Sequence, residues 1–260
     1  MTTNQTPPVY TPPPYTPAAP SAAGSKERVA LWLMIISCIL ALLDNFRYSF
    51  FQTLYSLEIH SAGLYTFQRV MSNVFQVVSV LISLALIVGA FLLCRGRPIL
   101  LASAIFGVIG LVISNGVRSY SWMLNQLARN GSRVGSAGVH EAVMTGMTVV
   151  ATLVIVTAQI LLMEGIARWM KSYNAGWIRV MARLAQACMA LSAVISLVSS
   201  LVIMTLIRNG ALPISVANTF STAAVIIGNP AIILKLIVFI GVYFTLKKAN
   251  RPPAPMQSNF

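Results

Sequence analysis

The sequence predicts an all-α membrane protein: a polytopic bundle of about six transmembrane helices behind a Pro-rich N-terminal tail. Three observations carry this prediction. Hydrophobic residues make up 57% of the chain and charged residues only 9%, against roughly a quarter charged in an average soluble domain. The apolar residues collect in long runs, near the ~20 residues that a helix needs to cross a ~30 Å hydrocarbon core. Lys and Arg gather at the ends of those runs, where membrane proteins hold them.

Residues 1–24 form a Pro/Tyr-rich segment. Proline lacks an N–H and fixes φ, so this stretch favours extended polyproline II without a core and is expected to be disordered. It carries no charged n-region followed by an apolar core, so no cleavable signal peptide is expected. A six-helix domain follows over 25–248, with helices near 29–43, 74–94, 99–117, 143–165, 184–207 and 223–246, and a short tail over 249–260. Backbone groups find no water in lipid, which makes each run a helix.

The first run is short, and Asp44 and Arg47 follow it one turn apart, spaced to pair. The turn Arg95-Gly96-Arg97-Pro98 makes the second and third helices a tight hairpin. Two long connections are expected on the opposite side. The segment 44–73 holds Phe50, Phe51, Tyr55 and Tyr65 and suits an interfacial amphipathic helix. The segment 118–142 is Gly/Ser-rich around Arg129–Gly138 and reads as a flexible loop.

Charge sets the orientation. With the N-terminus inside, eleven cations fall on cytoplasmic segments and six on the opposite side. This agrees with the positive-inside rule and puts both termini in the cytoplasm. The expected location is the plasma (cell) membrane.

The same distribution weighs against nucleic acid. The formal net charge is +13, but a phosphate-binding face needs a continuous basic patch, and these cations are split among helix ends. Catalytic signals are also missing. His140-Glu141 lacks the second histidine of HExxH, since position 144 is Met144, and the chain has only two histidines. The three cysteines lack metal-ligand spacing. No GxSxG, P-loop or Rossmann pattern occurs, and five acidic residues leave little room for paired-carboxylate chemistry. The expectation is a non-enzyme without metal or cofactor.

Lys235 is the most unusual residue, because a lysine at mid-bilayer costs about 2.5–3.5 kcal/mol on insertion scales. Asn229-Pro230 precedes it, and two readings follow. In the first, which Asn-Pro as a common helix start favours, Asn229 caps the helix, Pro230 is its first residue, and Lys235 snorkels to the outer interface. In the second, Gly228-Asn229-Pro230 breaks a longer span, and Lys235 faces a polar cavity. Thr145, Thr148, Thr152 and Gln159 share a face of the fourth helix, and Ser192, Ser196 and Ser200 share one on the fifth. Such faces suit close packing or, alternatively, a lined solute path. Glu164 and Arg168 are spaced for a local ion pair.

The tail holds Pro7-Pro8-Val9-Tyr10 and Pro12-Pro13-Pro14-Tyr15. Both resemble the PPxY ligands of WW domains, which dock on an aromatic groove, so Pro7, Pro8, Tyr10, Pro12, Pro13 and Tyr15 form a candidate partner motif.

Two functions are expected, the first ahead of the second as its alternative. One is a non-enzymatic membrane adaptor or accessory subunit that engages a WW-type or other polyproline-binding protein. The other is a small-solute permease or transporter component with Lys235 in the path. The bilayer is the expected partner of the helices in both, and homo- or hetero-oligomers are compatible with either.

Overall fold

Period and length dictate helices throughout, and a computed structural model of the chain consists of them. It describes residues 24–56, 62–129, 137–198, 201 and 214–249. The helices are α1 (Ser25–Ser56), α2 (Ala62–Leu93), α3 (Pro98–Arg129), α4 (Ala137–Trp169), α5 (Gly176–Val198) and α6 (Ile214–Ala249), with a short 3-10 turn at Met170–Tyr173 between α4 and α5. No strand occurs among the described residues. Six helices are long and apolar enough to cross a membrane.

The helices outrun the apolar runs that predict them. The first three have 32 residues each, or about 48 Å at 1.5 Å per residue. That exceeds a ~30 Å hydrocarbon core, so their polar ends project past it or the helices tilt. The expected long loop 44–73 is therefore corrected. Helix α1 continues to Ser56 and α2 begins at Ala62, so Asp44 and Arg47 are helical. Phe51 is buried rather than interfacial and packs near Phe67. The expected loop 118–142 is shortened likewise, because α3 runs to Arg129 and α4 starts at Ala137. The glycine-rich centre of that loop and the Pro/Tyr tail lie outside the described residues.

Each helix packs on its neighbours in sequence, and α1 closes the ring against α6. The buried set includes Leu31, Met34, Leu93, Leu100, Met163, Ile178 and Phe239. The outward faces are apolar too. On α1, Val29, Trp32, Ile36, Ile39, Leu43, Phe46 and Phe50 are all exposed at alternating spacings of three and four. That spacing is one stripe of a helix, and its chemistry is that of a surface covered by lipid rather than water.

The ends are tied by polar contacts. Arg97 leaves the α2–α3 turn, pairs with Glu27 at 3.2 Å and lies 3.9 Å over the ring of Trp169. Trp32 and Tyr243 meet edge to face at 5.6 Å, which brings the start of α1 and the finish of α6 to the same end. At the other end, Arg47 pairs with Asp44 at 2.9 Å and donates to Ser72 at 3.3 Å. Tyr120 and His140 join α3 to α4.

The hairpin turn needs its glycine. Gly96 has φ +69°, a left-handed conformation, and Pro98 then opens α3.

Candidate functional site

Helix α6 builds the centre of the site, and its course matches neither sequence reading, although Lys235 faces a polar cavity as the second one expected. It runs without interruption through Pro230, so Asn229 is not a cap and the span is not broken there. Neighbouring helices hold such a helix together where proline removes one internal hydrogen bond. Asn229 instead accepts a hydrogen bond from Asn45 Nδ2 on α1 at 2.7 Å, which joins α6 to α1. Pro230 itself is exposed.

Lys235 does not snorkel. Its residue surface is only 7% exposed, and Nζ donates to Gln159 Oε1 of α4 at 2.9 Å. The ring arrangement explains the direction. Lys235 follows Ala231 by one turn and precedes Phe239 by one turn, and both of those are buried on the inner face of α6. The lysine shares that face, so its stem can lead only into the bundle.

Lys235 and Gln159 line a cavity of about 310 Å³ walled by five helices, α1, α2, α4, α5 and α6. Its polar lining includes Ser37, Cys38, Thr152, Ser192 and Ser196. Parts of the two polar faces foreseen on α4 and α5 therefore meet across one space. Ser200 lies outside the described residues. Thr148 and Thr152 donate to the backbone one turn back, at 2.8 and 2.9 Å, and leave their acceptor lone pairs free.

No carboxylate lines this cavity. The acids nearest the helix ends are taken: Glu27 by Arg97, Asp44 by Arg47, and Glu164 by Arg168 and Arg183. Lys235 therefore has a neutral amide for its partner and no described counter-charge.

A second cavity, of about 200 Å³, lies between α2, α3 and α4. Ser79, Ser83, Ser114, Asn115 and Arg118 give it a polar wall, and Arg118 donates to Ser79 at 3.2 Å. Gln159 and Leu86 line both cavities. An outer recess around Asn115, Arg118 and Trp122 adjoins the second cavity. A file of polar side chains thus runs from the α3 end carrying Arg118 to Lys235, with Gln159 at the junction.

Glu164 stands apart from this file. It accepts from Arg168 Nε at 2.8 Å, the expected local pair, and from Arg183 Nη2 at 3.2 Å across to α5, where Arg183 Nη1 also lies 2.8 Å from Oε2 as an ion pair. Gln186 Nε2 reaches Glu164 as well and donates to the Ile160 carbonyl at 3.1 Å. It is a hinge pin between α4 and α5.

Sequence reasoning missed Ser37, Cys38 and Asn45. A signal was present: Ser37, Ala41 and Asn45 recur every fourth residue, a small and polar stripe on α1. No cluster of potential metal ligands occurs among the described residues. Comparisons with protein-family models, with curated proteins and with solved structures find no match.

Proposed function

We propose that this integral membrane protein is a small-solute permease, or the conducting component of a transporter, with Lys235 as the recognition group in its path. One observation carries the reading: Lys235 faces an internal cavity with Gln159 as its polar partner and no carboxylate on the wall. An ammonium withdrawn from water costs several kcal/mol unless it is compensated. A leucine at this position would fill space more cheaply, so a lysine asks for a role. Hydroxyl groups around it can donate or accept as the occupant requires. The occupant that suits this lining is small and anionic or rich in acceptors, because it would bring the missing counter-charge. No bond is made or broken, so the proposed activity is not enzymatic.

In this reading the end holding both termini faces the cytoplasm of the cell, in keeping with the cations on the α2–α3 turn, the α4–α5 turn and Lys247 and Lys248.

The test is flux through proteoliposomes containing the full chain, followed by swelling in chloride, nitrate, formate and acetate. Wild-type protein is expected to pass at least one of these anions above empty vesicles. Lys235→Met is expected to lower that flux at least about tenfold while remaining monodisperse. A folded Lys235→Met protein with full flux would reject the role of the lysine.

The tail motifs carry a second reading that is compatible with the first. The pair of PPxY-like segments within residues 1–24 is suited to recruiting a polyproline-binding partner. Deleting 1–24 should abolish recovery of a WW-domain bait, and unchanged recovery counts against it.

A further inference from the structure

The turn between α4 and α5 gathers charge in a way that the solute path does not use. A pocket of about 360 Å³ is lined by Glu164, Ala167, Arg168, Lys171, Arg179 and Arg183. Four cations face one carboxylate there. Arg168 and Arg183 are both held by Glu164 at 2.8 Å, which fixes their guanidinium groups in place. Lys171 and Arg179 take part in no ion pair among the described residues. Arg179 Nε is buried without a hydrogen-bond partner. That N–H is covered by protein and holds the Arg179 stem at a cost, and a phosphate oxygen matches the charge of the guanidinium where the side chain lines the pocket.

The surroundings say which phosphate. The pocket sits at the end of the bundle where α4 finishes and α5 begins, the end that also holds the start of α1 and the finish of α6. Trp177, half exposed in the first turn of α5 with its ring against Gly241 of α6, is a residue type that favours the headgroup level. A shallow groove lined by Gly176, Arg179, Val180, Arg183 and Leu184 shares both of its arginines with the basic pocket. Val180 and Leu184 are exposed and one turn apart, so the groove leads from the cations down the lipid-facing side of α5. Charge at the rim with an apolar track below it fits a headgroup and the first part of its acyl chain. A free anion would use only the rim. Basic pockets between transmembrane helices are where anionic headgroups dock.

We infer that Arg168, Lys171, Arg179 and Arg183 form a binding site for the phosphate of an anionic phospholipid, with its acyl chain laid along Val180 and Leu184. Glu164 sets the geometry by holding two of the arginines. Occupancy would clamp α4 to α5, the two helices whose polar faces meet across the Lys235 cavity.

The test uses the purified full chain and native mass spectrometry with phosphatidylglycerol or phosphatidylcholine added. Phosphatidylglycerol is expected to be retained in preference, with one molecule outlasting the rest as collision energy rises. The double change Lys171→Gln, Arg179→Gln is expected to weaken that retention on the order of 30-fold. A control that removes the same charge at the same end, Lys247→Gln with Lys248→Gln, is expected to change it less than about twofold. If the double variant does not fold, Lys171→Gln alone, at an exposed residue, is expected to weaken retention about fivefold. Equal losses in test and control, or no preference for phosphatidylglycerol, would overturn the proposal. So would displacement of the lipid by inorganic phosphate at equal concentration, which would mark a site for a free anion.

Discussion

Lys235 and Gln159 lie 76 positions apart in the chain and meet at 2.9 Å inside the helical ring. The pair joins α6 to α4 across the cavity. Gln159 also lines the second cavity, so its amide stands on the wall that the two cavities share.

This relationship predicts an asymmetric pair of mutants. Gln159→Leu leaves a buried donor with no partner and should destabilise the protein by about 1–3 kcal/mol. Lys235→Met leaves only a neutral amide at the edge of a cavity and should stay within about 1 kcal/mol of wild type. The double variant should recover the stability lost by Gln159→Leu. Thermal unfolding in detergent measures all three. A Gln159→Leu protein as stable as wild type would show that the hydrogen bond is not what holds the lysine.

Glu164 links α4 to α5 through Arg168, Arg183 and Gln186. Both arginines are more than half exposed, at 68% and 64% of their side chains, so screening by water limits the gain. Glu164→Gln should cost only about 1 kcal/mol in total. Its sharper signature should be faster hydrogen exchange at the α4–α5 turn, read by mass spectrometry. Unchanged exchange at Met170–Tyr173 would argue against a pinning role.

Gly165 lets α3 and α4 approach closely. A Cβ placed there would lie 2.7 Å from Leu100 Cγ, and Leu100 is fully buried and cannot swing away. Gly165→Val should destabilise by about 1–3 kcal/mol through overpacking. Adding Leu100→Ala should return part of that loss by vacating the space. A simple sum of the two penalties in the double variant would mean that the residues do not compete for the same volume.

Arg97 ties three helices at one end, through Glu27, the Leu93 carbonyl at 2.8 Å and the face of Trp169. Only a planar guanidinium can stack on the indole and keep its edge donors engaged at the same time. Arg97→Lys should therefore behave almost like Arg97→Gln, with a loss of roughly 1–2 kcal/mol. A lysine variant as stable as wild type would reduce the site to a single charge contact.

How much of this was readable beforehand varies by element. The turn at Arg95–Pro98 and the Asp44–Arg47 and Glu164–Arg168 pairs were legible because each depends on neighbours within four positions. Helix lengths were not. Polar residues such as Arg47, Arg118 and His140 look like loop residues by hydropathy, yet a helix continues through them once Ser72, Ser79 or Tyr120 on another helix supplies a partner. Lys235 was legible as an anomaly, but its direction was not. Snorkelling outward and turning inward begin from the same sequence, and the choice depends on where Gln159 of α4 stands.

By itself, the sequence determined that this chain lives in lipid, that its spans are helical, and that its cations gather at the helix ends. These follow from local energies: apolar side chains leave water, and backbone groups in hydrocarbon bond within their own helix. The tertiary structure alone decided that α1 closes on α6, that Asn45 meets Asn229, and that the polar faces of α4 and α5 open onto the cavity holding Lys235. Helices already covered by lipid gain no hydrophobic energy from choosing one neighbour over another. The choice falls to close packing and a few buried hydrogen bonds, which only three-dimensional proximity reveals.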